Sequence, residues 1–193
     1  ALMNCRGLAM GQRLAEALTP LLAGRKQVLD IAGGSGIYAC TLAARHNHLS
    51  AVVLEQSPVD VIVGKEIEKH GMGDRVKVFC GDMFQDDWPD GSDVILFSNV
   101  LHDWDFPEVE ALLRKAAEYL PQNGLLIIHD AFINDAKTGP LPVAEYSALL
   151  MNITQGKCYS HAEYTSILET LSFEVGPYQD TIADRGFMTA IRK

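Results

Sequence analysis

The chain has 193 residues, with 16 Lys and Arg against 25 Asp and Glu, so its net charge is −9. Apolar residues make up 48% and charged residues 21%, which is typical of a folded globular domain and excludes a disordered or disulfide-dense chain. The acidic balance argues against nucleic acid or an anionic membrane as partner. No apolar run approaches the ~18 residues of a membrane span, and nothing at the start resembles a signal peptide.

The cysteines show no Cys-x-x-Cys spacing, so we interpret them as reduced thiols of a cytoplasmic protein. They are Cys5, Cys40, Cys80 and Cys158. No metal site is expected, because no carboxylate or Cys completes a site with His46 and His48, and we interpret the acidic residues of the loop 86–90 as solvated.

An apolar stripe through residues 1–22 predicts a leading helix. Leu2 and Met3 extend this helix with no capping residue ahead of them. We therefore expect the chain to be a piece of a longer protein, and we expect such a piece to be poorly active and to expose an apolar patch that includes Leu8.

Strand and helix signals then alternate along the chain. Five short apolar runs predict strands at 28–31, 51–54, 76–79, 94–97 and 125–128. Helical spacing predicts helices at about 38–45, 59–67, 105–120, 143–152 and 160–171, and two strand-like runs follow at 175–178 and 187–191. This order predicts an α/β fold in one domain, a doubly wound sheet of mostly parallel strands with helices on both faces.

Polar side chains follow the predicted strands. In such sheets ligands bind beyond the carboxyl ends of the strands. The residues placed there are Asp30, Glu55, Asp82, Ser98 with His102, and Asp130. We expect a binding and catalytic site at this edge.

A glycine-rich turn follows the first strand. The pattern Gly34-x-Gly36-x-x-Ala39 matches the dinucleotide fingerprint, and Glu55 lies 19 residues after Gly36, where a ribose-binding carboxylate is expected. Any cofactor that contains adenosine satisfies this pattern, so an NAD(P)-dependent oxidoreductase is one alternative. Asp30 immediately before the turn would repel a pyrophosphate and attract a cationic group, which favours S-adenosylmethionine.

The motifs together carry a family resemblance. They are Val28–Gly36, Leu54–Val59, Gly81-Asp82-Met83-Phe84 and Val100-Leu101-His102-Asp103-Trp104. The chain resembles the small-molecule O-methyltransferases that include caffeate, hydroxyindole and bacterial antibiotic-pathway enzymes. The resemblance implies that residues 1–193 form an S-adenosylmethionine-binding class I methyltransferase domain whose sheet ends in an antiparallel hairpin. It also implies an N-terminal dimerisation domain, absent from this chain, and a homodimer of the full-length protein.

The resemblance implies a role for each site residue. Asp30, Gly33, Gly34 and Gly36 would line the methionine end of the cofactor. Glu55, with Gln56 beside it, stands at the ribose position, Asp82 and Met83 at the adenine position, and Ser98 where some members have a lysine that contacts the cofactor. His102 corresponds to the catalytic base and Asp130 to the acid that holds it.

One position departs from the family pattern. Cys158, in Gly156-Lys157-Cys158-Tyr159-Ser160, stands where the family has a second acid flanking the base. The favoured function is methyl transfer to a hydroxyl of a small, aromatic metabolite with His102 as base. Cys158 keeps open a cofactor-binding scaffold that is catalytically idle or repurposed. The sequence does not identify the substrate or the methylated atom.

Overall fold

The computed structural model describes residues 2–193, with side chains from residue 7 onward. Contacts within the chain divide it into two compact units, Ala1–Leu96 and Phe97–Lys193. The expectation of a single domain stays a prediction.

The first unit contains parallel strands joined by helices. Its helices are α1 (Leu2–Ala17), α2 (Thr19–Leu22), α3 (Ile37–Arg45) and α4 (Val59–Lys69). Its strands are β1 (Gln27–Ile31), β2 (Ser50–Glu55) and β3 (Val76–Cys80), and β4 (Val94–Ser98) crosses the boundary to the second unit. β2 pairs in parallel with both β1 and β3. The parallel pairing predicted for these three strands is therefore confirmed.

The predicted leading helix is interrupted. α1 ends at Ala17 and α2 begins at Thr19. Pro20 lies in the first turn of α2, where it has no N–H to donate to the carbonyl four residues earlier, so α1 cannot continue through it. The apolar stripe is otherwise as predicted, since Leu14 and Leu18 are fully buried. The side chains of Leu2, Met3 and Cys5 lie outside those that the structure describes.

The turn after β1 depends on glycine. Gly34 and Gly36 have φ of 60° and 72°, the left-handed region that glycine adopts at little cost. A Cβ at Gly33 would lie 2.6 Å from a carboxylate oxygen of Asp30 and 2.8 Å from Val53. The glycines thus allow the chain to turn tightly over the end of β1 and to enter α3.

The second unit contains helices and antiparallel strands. Its helices are α5 (Phe106–Tyr119), α6 (Leu141–Ile153) and α7 (His161–Thr170), and a short 3-10 turn covers Leu101–Asp103. Its strands are β5 (Leu125–Asp130), β6 (Phe173–Val175), β7 (Gln179–Asp180) and β8 (Gly186–Arg192). Strands β5, β6 and β7 each pair antiparallel with β8. The mostly parallel α/β class with C-terminal antiparallel strands is therefore confirmed.

One predicted strand of the second unit was wrong. The run 175–178 is not one strand, because Pro177 has no N–H to donate; instead β6 ends at Val175 and a separate β7 begins at Gln179. In α4, Val63 is fully buried whereas the neighbouring Ile62 is 54% exposed, because only one face of that helix is covered. Both helix starts carry ordinary sequence signals, since Asp105 caps α5 and Ser160 with Glu163 forms the capping box of α7.

Across residues 2–193, no helix combines the length and apolar character that a bilayer span requires.

Candidate active site

Asp30 is the most unusual residue of the first unit. Its carboxylate at the end of β1 is fully buried, and neither oxygen has a hydrogen-bond partner. Burial raises the pKa of Asp30 to about 7, with a further increase from the negative charge of Glu55, while the Ala39 backbone amide lowers it. A buried carboxylate without partners is costly unless a cation or donor satisfies it. This carboxylate therefore fits a positively charged ligand group at the glycine turn.

Glu55 holds the glycine turn. One carboxylate oxygen accepts a hydrogen bond from the N–H of Gly34 at 2.9 Å, and the other accepts one from the N–H of Gln56 at 2.9 Å. Each carboxylate oxygen can accept two hydrogen bonds, so both oxygens keep capacity for a ligand hydroxyl. Glu55 can therefore fix the turn and bind a ribose together, a structural role that the sequence did not indicate.

Asp82 and Met83 lie beside Glu55 and Gln56. The side-chain amide of Gln56 donates to Oδ2 of Asp82 at 2.8 Å, while Oδ1 accepts the backbone N–H groups of Phe84 and Gln85. Met83 is buried, with 7% of its surface exposed. The contacts Asp30–Gly33, Gly34–Glu55 and Gln56–Asp82 thus join the predicted cofactor residues of this unit in one continuous set.

Replacing Glu55 with Ala should weaken S-adenosylhomocysteine binding by about 1.5–3 kcal/mol, the usual range for charge-assisted hydrogen bonds. Isothermal calorimetry measures this change. Because Glu55 also anchors Gly34, the melting temperature should fall modestly as well. Glu16→Ala, at an exposed residue of α1, is the control and should change neither property. An unaltered S-adenosylhomocysteine affinity in Glu55→Ala would show that Glu55 only holds the glycine turn and does not bind the cofactor.

The second unit contains a buried acid–base pair. Nδ1 of His102, in the 3-10 turn after β4, lies 2.5 Å from Oδ1 of Asp130 at the end of β5. His102 is 4% and Asp130 2% exposed. The same carboxylate oxygen accepts the N–H of Ala131 at 2.7 Å, which fixes its position. A carboxylate at Nδ1 places the ring proton there and leaves Nε2 as the basic nitrogen.

Two further groups approach Nε2 of His102. The hydroxyl of Tyr146 on α6 lies 3.3 Å away, and a carboxylate oxygen of Asp103 lies 3.6 Å away. Burial alone would lower the pKa of His102, but the charge and hydrogen bond of Asp130, together with the charge of Asp103, outweigh it and raise the pKa. Two carboxylates therefore flank the base, although position 158 has no acid.

Ser98 belongs to a polar network of the second unit. Its hydroxyl lies 2.9 Å from Nδ1 of His129 and accepts a hydrogen bond from the amide of Asn99. The oxygen of that Asn99 amide accepts the Nε–H of Arg185 at 2.7 Å. Burial lowers the pKa of His129 to about 4, so this ring is neutral at pH 7. The contact of Ser98 with a cofactor stays a prediction.

Cys158 is a packing residue with a polar backbone contact. It is 1% exposed and packs in an apolar cluster with Ala131, Val143 and Leu150. Its backbone N–H donates to the hydroxyl of Ser147 at 3.1 Å. Burial, followed by the charge of Asp130, raises the pKa of its thiol to about 12. A neutral thiol therefore replaces the acid expected at this position.

We expect iodoacetamide to alkylate Cys80 in the folded protein much faster than Cys158. Cys80 is exposed and Cys158 is buried, and only an accessible thiolate reacts readily. Peptide mass mapping after timed alkylation gives the ratio of the two rates. Denaturation should bring them close together. Rapid labelling of Cys158 in the native protein would contradict its burial and its neutral state.

Sequence reasoning did not assign roles to Tyr146, Asp103 and Arg185. Tyr146 was hidden in an ordinary helical pattern, and Arg185 lies in a turn that carries no motif. Asp103 was part of the quoted His-Asp-Trp motif, and its adjacency to His102 was the available signal. Within the described part of the chain, no group of three or more His, Cys, Asp or Glu side chains is arranged to hold a metal ion.

Known proteins resemble this chain in sequence. The 3-hydroxy-5-methyl-1-naphthoate 3-O-methyltransferase of Streptomyces sahachiroi is 34% identical over 147 residues, 76% of this chain and 43% of that protein. The L-tyrosine C(3)-methyltransferase of Streptomyces lavendulae is 35% identical over 170 residues, 87% of this chain and 46% of that protein. The chain thus spans about half the length of these curated relatives.

Solved structures resemble it in fold. An O-methyltransferase family 2 protein from Planctomyces limnophilus, crystallised with apigenin, has a TM-score of 0.93 and 32% identity, covering 100% of this chain and 60% of that one. The mitomycin 7-O-methyltransferase has a TM-score of 0.90 and 27% identity, covering 99% of this chain and 55% of that one. The model of the O-methyltransferase domain family matches residues 2–174. With most of its length matched and a fold shared with solved methyltransferases, the chain belongs to the O-methyltransferase domain family and has the class I methyltransferase fold.

Proposed function

We propose that this protein transfers a methyl group from S-adenosylmethionine to a hydroxyl of a small aromatic metabolite, with His102 as general base. The observation that carries the proposal is the buried contact of 2.5 Å between Nδ1 of His102 and Asp130. This contact leaves Nε2 as the group that accepts a proton. Family membership favours methyl transfer over the nicotinamide-dependent alternative.

The first unit offers groups that fit the methyl donor. The unpartnered carboxylate of Asp30 suits the ammonium of the methionine moiety, and the oxygens of Glu55 suit ribose hydroxyls. Met83 supplies an apolar surface for an adenine ring. When bound, S-adenosylmethionine supplies a methyl group activated by a positively charged sulfur. The residues of this unit would hold it by charge and hydrogen bonding.

His102 would act on the substrate hydroxyl. A phenol has a pKa near 10, so a neutral imidazole assists by accepting the proton at Nε2 as the oxygen becomes nucleophilic. Asp130 would keep the ring in the required tautomer and stabilise the imidazolium that forms. The carboxylate of Asp103 at 3.6 Å would add to that stabilisation. The base therefore has two acidic neighbours without an acid at position 158.

This arrangement favours an active enzyme over an idle scaffold. A buried His–Asp pair has a desolvation cost that packing alone would avoid. Cys158 was the reason to consider loss of activity, and it lies in an apolar cluster instead of replacing Asp130 at the base.

Methylation at carbon is a second candidate. One relative is an L-tyrosine C(3)-methyltransferase, 35% identical over 87% of this chain. Removing the proton from a phenol also activates the ring carbon next to the hydroxyl, so the same base serves both reactions. The relatives' names favour hydroxylated aromatic substrates in either case.

The test uses S-adenosylmethionine with a deuterated methyl group and a panel of hydroxyaromatic compounds. Mass spectrometry should detect products heavier by one deuterated methyl group in place of one hydrogen. Fragmentation or nuclear magnetic resonance then assigns the methyl to oxygen or to carbon. Binding of S-adenosylhomocysteine without transfer to any of these compounds would support the idle scaffold, and absence of that binding would contradict the proposal.

A further inference from the structure

Arg185 is a cation held in place beside the proposed base. It precedes β8 and follows a turn in which Ala183 and Asp184 both have φ of 56°. The N–H of Thr181 donates to the carbonyl of Arg185 at 2.8 Å, and the hydroxyl of Thr181 donates to the same oxygen at 2.9 Å. These contacts fix the backbone from which the guanidinium projects.

The guanidinium itself is oriented by two contacts. Its Nε–H donates to the Asn99 side chain at 2.7 Å, and its central carbon lies 4.8 Å from the centre of the Tyr146 ring. The hydroxyl of that ring is 3.3 Å from Nε2 of His102. The cation and the base are thus separated by no more than one phenol side chain.

Arg185 has no anionic partner among the residues that the structure describes. It forms no ion pair with any of their carboxylates, and its neighbour Asp184 is exposed. Arg185 is half-buried, and its terminal nitrogens form no hydrogen bond with these residues. A partly desolvated guanidinium with an open fork of donors is suited to bidentate binding of a carboxylate.

We propose that Arg185 binds a carboxylate of the substrate, so that the protein selects aromatic compounds that carry both a hydroxyl and a carboxylate. This inference rests on the proposed function. The carboxylate would lie at the terminal nitrogens of Arg185 while the substrate hydroxyl reaches Nε2 of His102. Tyr146 lies between Arg185 and His102 and contacts both. The carboxylate and the hydroxyl of the substrate would therefore be separated by about the length of this side chain.

The carboxylate of the cofactor's methionine moiety has the same chemistry. Arg185 lies against the ring of Tyr146, whose hydroxyl is 3.3 Å from Nε2 of His102, the atom to which we assign the substrate hydroxyl. We therefore assign Arg185 to the substrate. The experiment measures the affinity for the substrate acid and the affinity for S-adenosylhomocysteine, since only the first should depend on Arg185.

The experiment compares 3-hydroxy-1-naphthoate with 2-naphthol, which has the same hydroxyl and lacks the carboxylate. Fluorescence titration should show that the protein, saturated with S-adenosylhomocysteine, binds the acid at least 10-fold more tightly. Arg185→Gln should remove this preference by raising the Kd of the acid about 10-fold or more, while the Kd of 2-naphthol changes less than about 2-fold. Arg185→Lys, which keeps the charge, should retain part of the preference.

Arg114→Gln is the matched control, because Arg114 is an exposed arginine of α5 that pairs with Glu110. It should leave both naphthalene affinities unchanged. Calorimetry should give the same S-adenosylhomocysteine Kd for Arg185→Gln as for the parent protein. A lower cofactor affinity in Arg185→Gln would assign the cation to the cofactor and overturn the inference. Equal losses for both naphthalenes, no preference for the acid, or binding of neither compound would also overturn it. S-adenosylhomocysteine binding in the parent protein separates these outcomes from failure of the proposed function.

Discussion

Replacing His102 with Gln is expected to lower kcat by about 10²–10⁴-fold, the usual loss when a general base is removed. Glutamine keeps a polar side chain but cannot accept a proton from the substrate. The cofactor residues Asp30, Glu55 and Asp82 are untouched, so the Kd for S-adenosylhomocysteine should change by less than about 2-fold. Steady-state rates and calorimetry measure the two quantities on the same preparation.

The pH dependence gives an independent test of His102. Its pKa is raised because Asp130 and Asp103 together outweigh the effect of burial. The parent kcat/KM should therefore increase with pH as His102 loses its proton, with a midpoint above the ordinary histidine value of about 6.5. His102→Gln should lose this increase, and a substrate whose hydroxyl is already ionised should recover part of the lost rate. A His102→Gln protein as active as the parent would make the imidazole a structural group.

Asp130→Asn is the companion variant. The side-chain amide introduced at position 130 can donate its N–H to Nδ1 of His102. The ring proton would then lie on Nε2, and that nitrogen could no longer accept a proton from the substrate. We expect a smaller fall in rate than for His102→Gln, with little change in cofactor affinity. Recovery of the parent rate at high pH in Asp130→Asn would argue that Asp130 only tunes the pKa of His102.

The sequence predicted those parts of the fold that depend on local patterns. The short apolar runs marked β1 to β5, and the Ser160–Glu163 capping box marked the start of α7, because each pattern is contained in a few neighbouring residues. Element ends were less predictable. Pro20 interrupts the leading helix and Pro177 separates β6 from β7, although the predicted helix 1–22 and the predicted strand 175–178 include these prolines.

The candidate site was predictable where strand ends determined it. Asp30, Glu55, Asp82, His102 and Asp130 all follow predicted strands. Contacts within the first unit join the first three, and a contact within the second joins His102 to Asp130, while their binding and catalytic roles stay predictions. Tyr146 and Arg185 could not be found in this way, since their positions depend on how α6 and the turn before β8 pack. Asp103 illustrates a different limit, because its effect on the pKa of His102 requires a distance that sequence spacing does not give.

Asp30 combines a stability cost with a proposed binding role. Its pKa is about 7 in the folded protein, against the ordinary value of 3.8. Between these values the folded state binds more protons than the unfolded state, so the stability of the ligand-free protein must fall as pH rises through this window. A pKa raised by about 3 corresponds to a loss of up to about 4 kcal/mol, complete above pH 7. A bound ammonium group would offset that loss and lower the pKa again.

Asp30→Asn should therefore stabilise the ligand-free protein and weaken its binding of the cofactor. At pH 8 the free energy of unfolding should rise by about 1–3 kcal/mol, less than the full loss because the amide is also buried without partners. At pH 4, where the parent carboxyl is largely protonated, the difference should nearly vanish. The S-adenosylhomocysteine Kd at pH 8 should increase by at least about 10-fold, since an ion pair with its ammonium is lost.

Urea unfolding between pH 4 and pH 8, together with calorimetry at pH 8, measures these changes, with exposed Asp74→Asn as the control for loss of one negative charge. Calorimetry of the parent protein near pH 6.5, in buffers of different ionisation enthalpy, should show that binding releases a proton, because pairing with the ammonium ionises Asp30. A stability difference that stays constant between pH 4 and pH 8 would show that Asp30 is not a buried titrating group. An unaltered S-adenosylhomocysteine Kd in Asp30→Asn would show that the buried carboxylate does not contribute to cofactor binding. The positively charged group of the cofactor would then need another partner at the glycine turn.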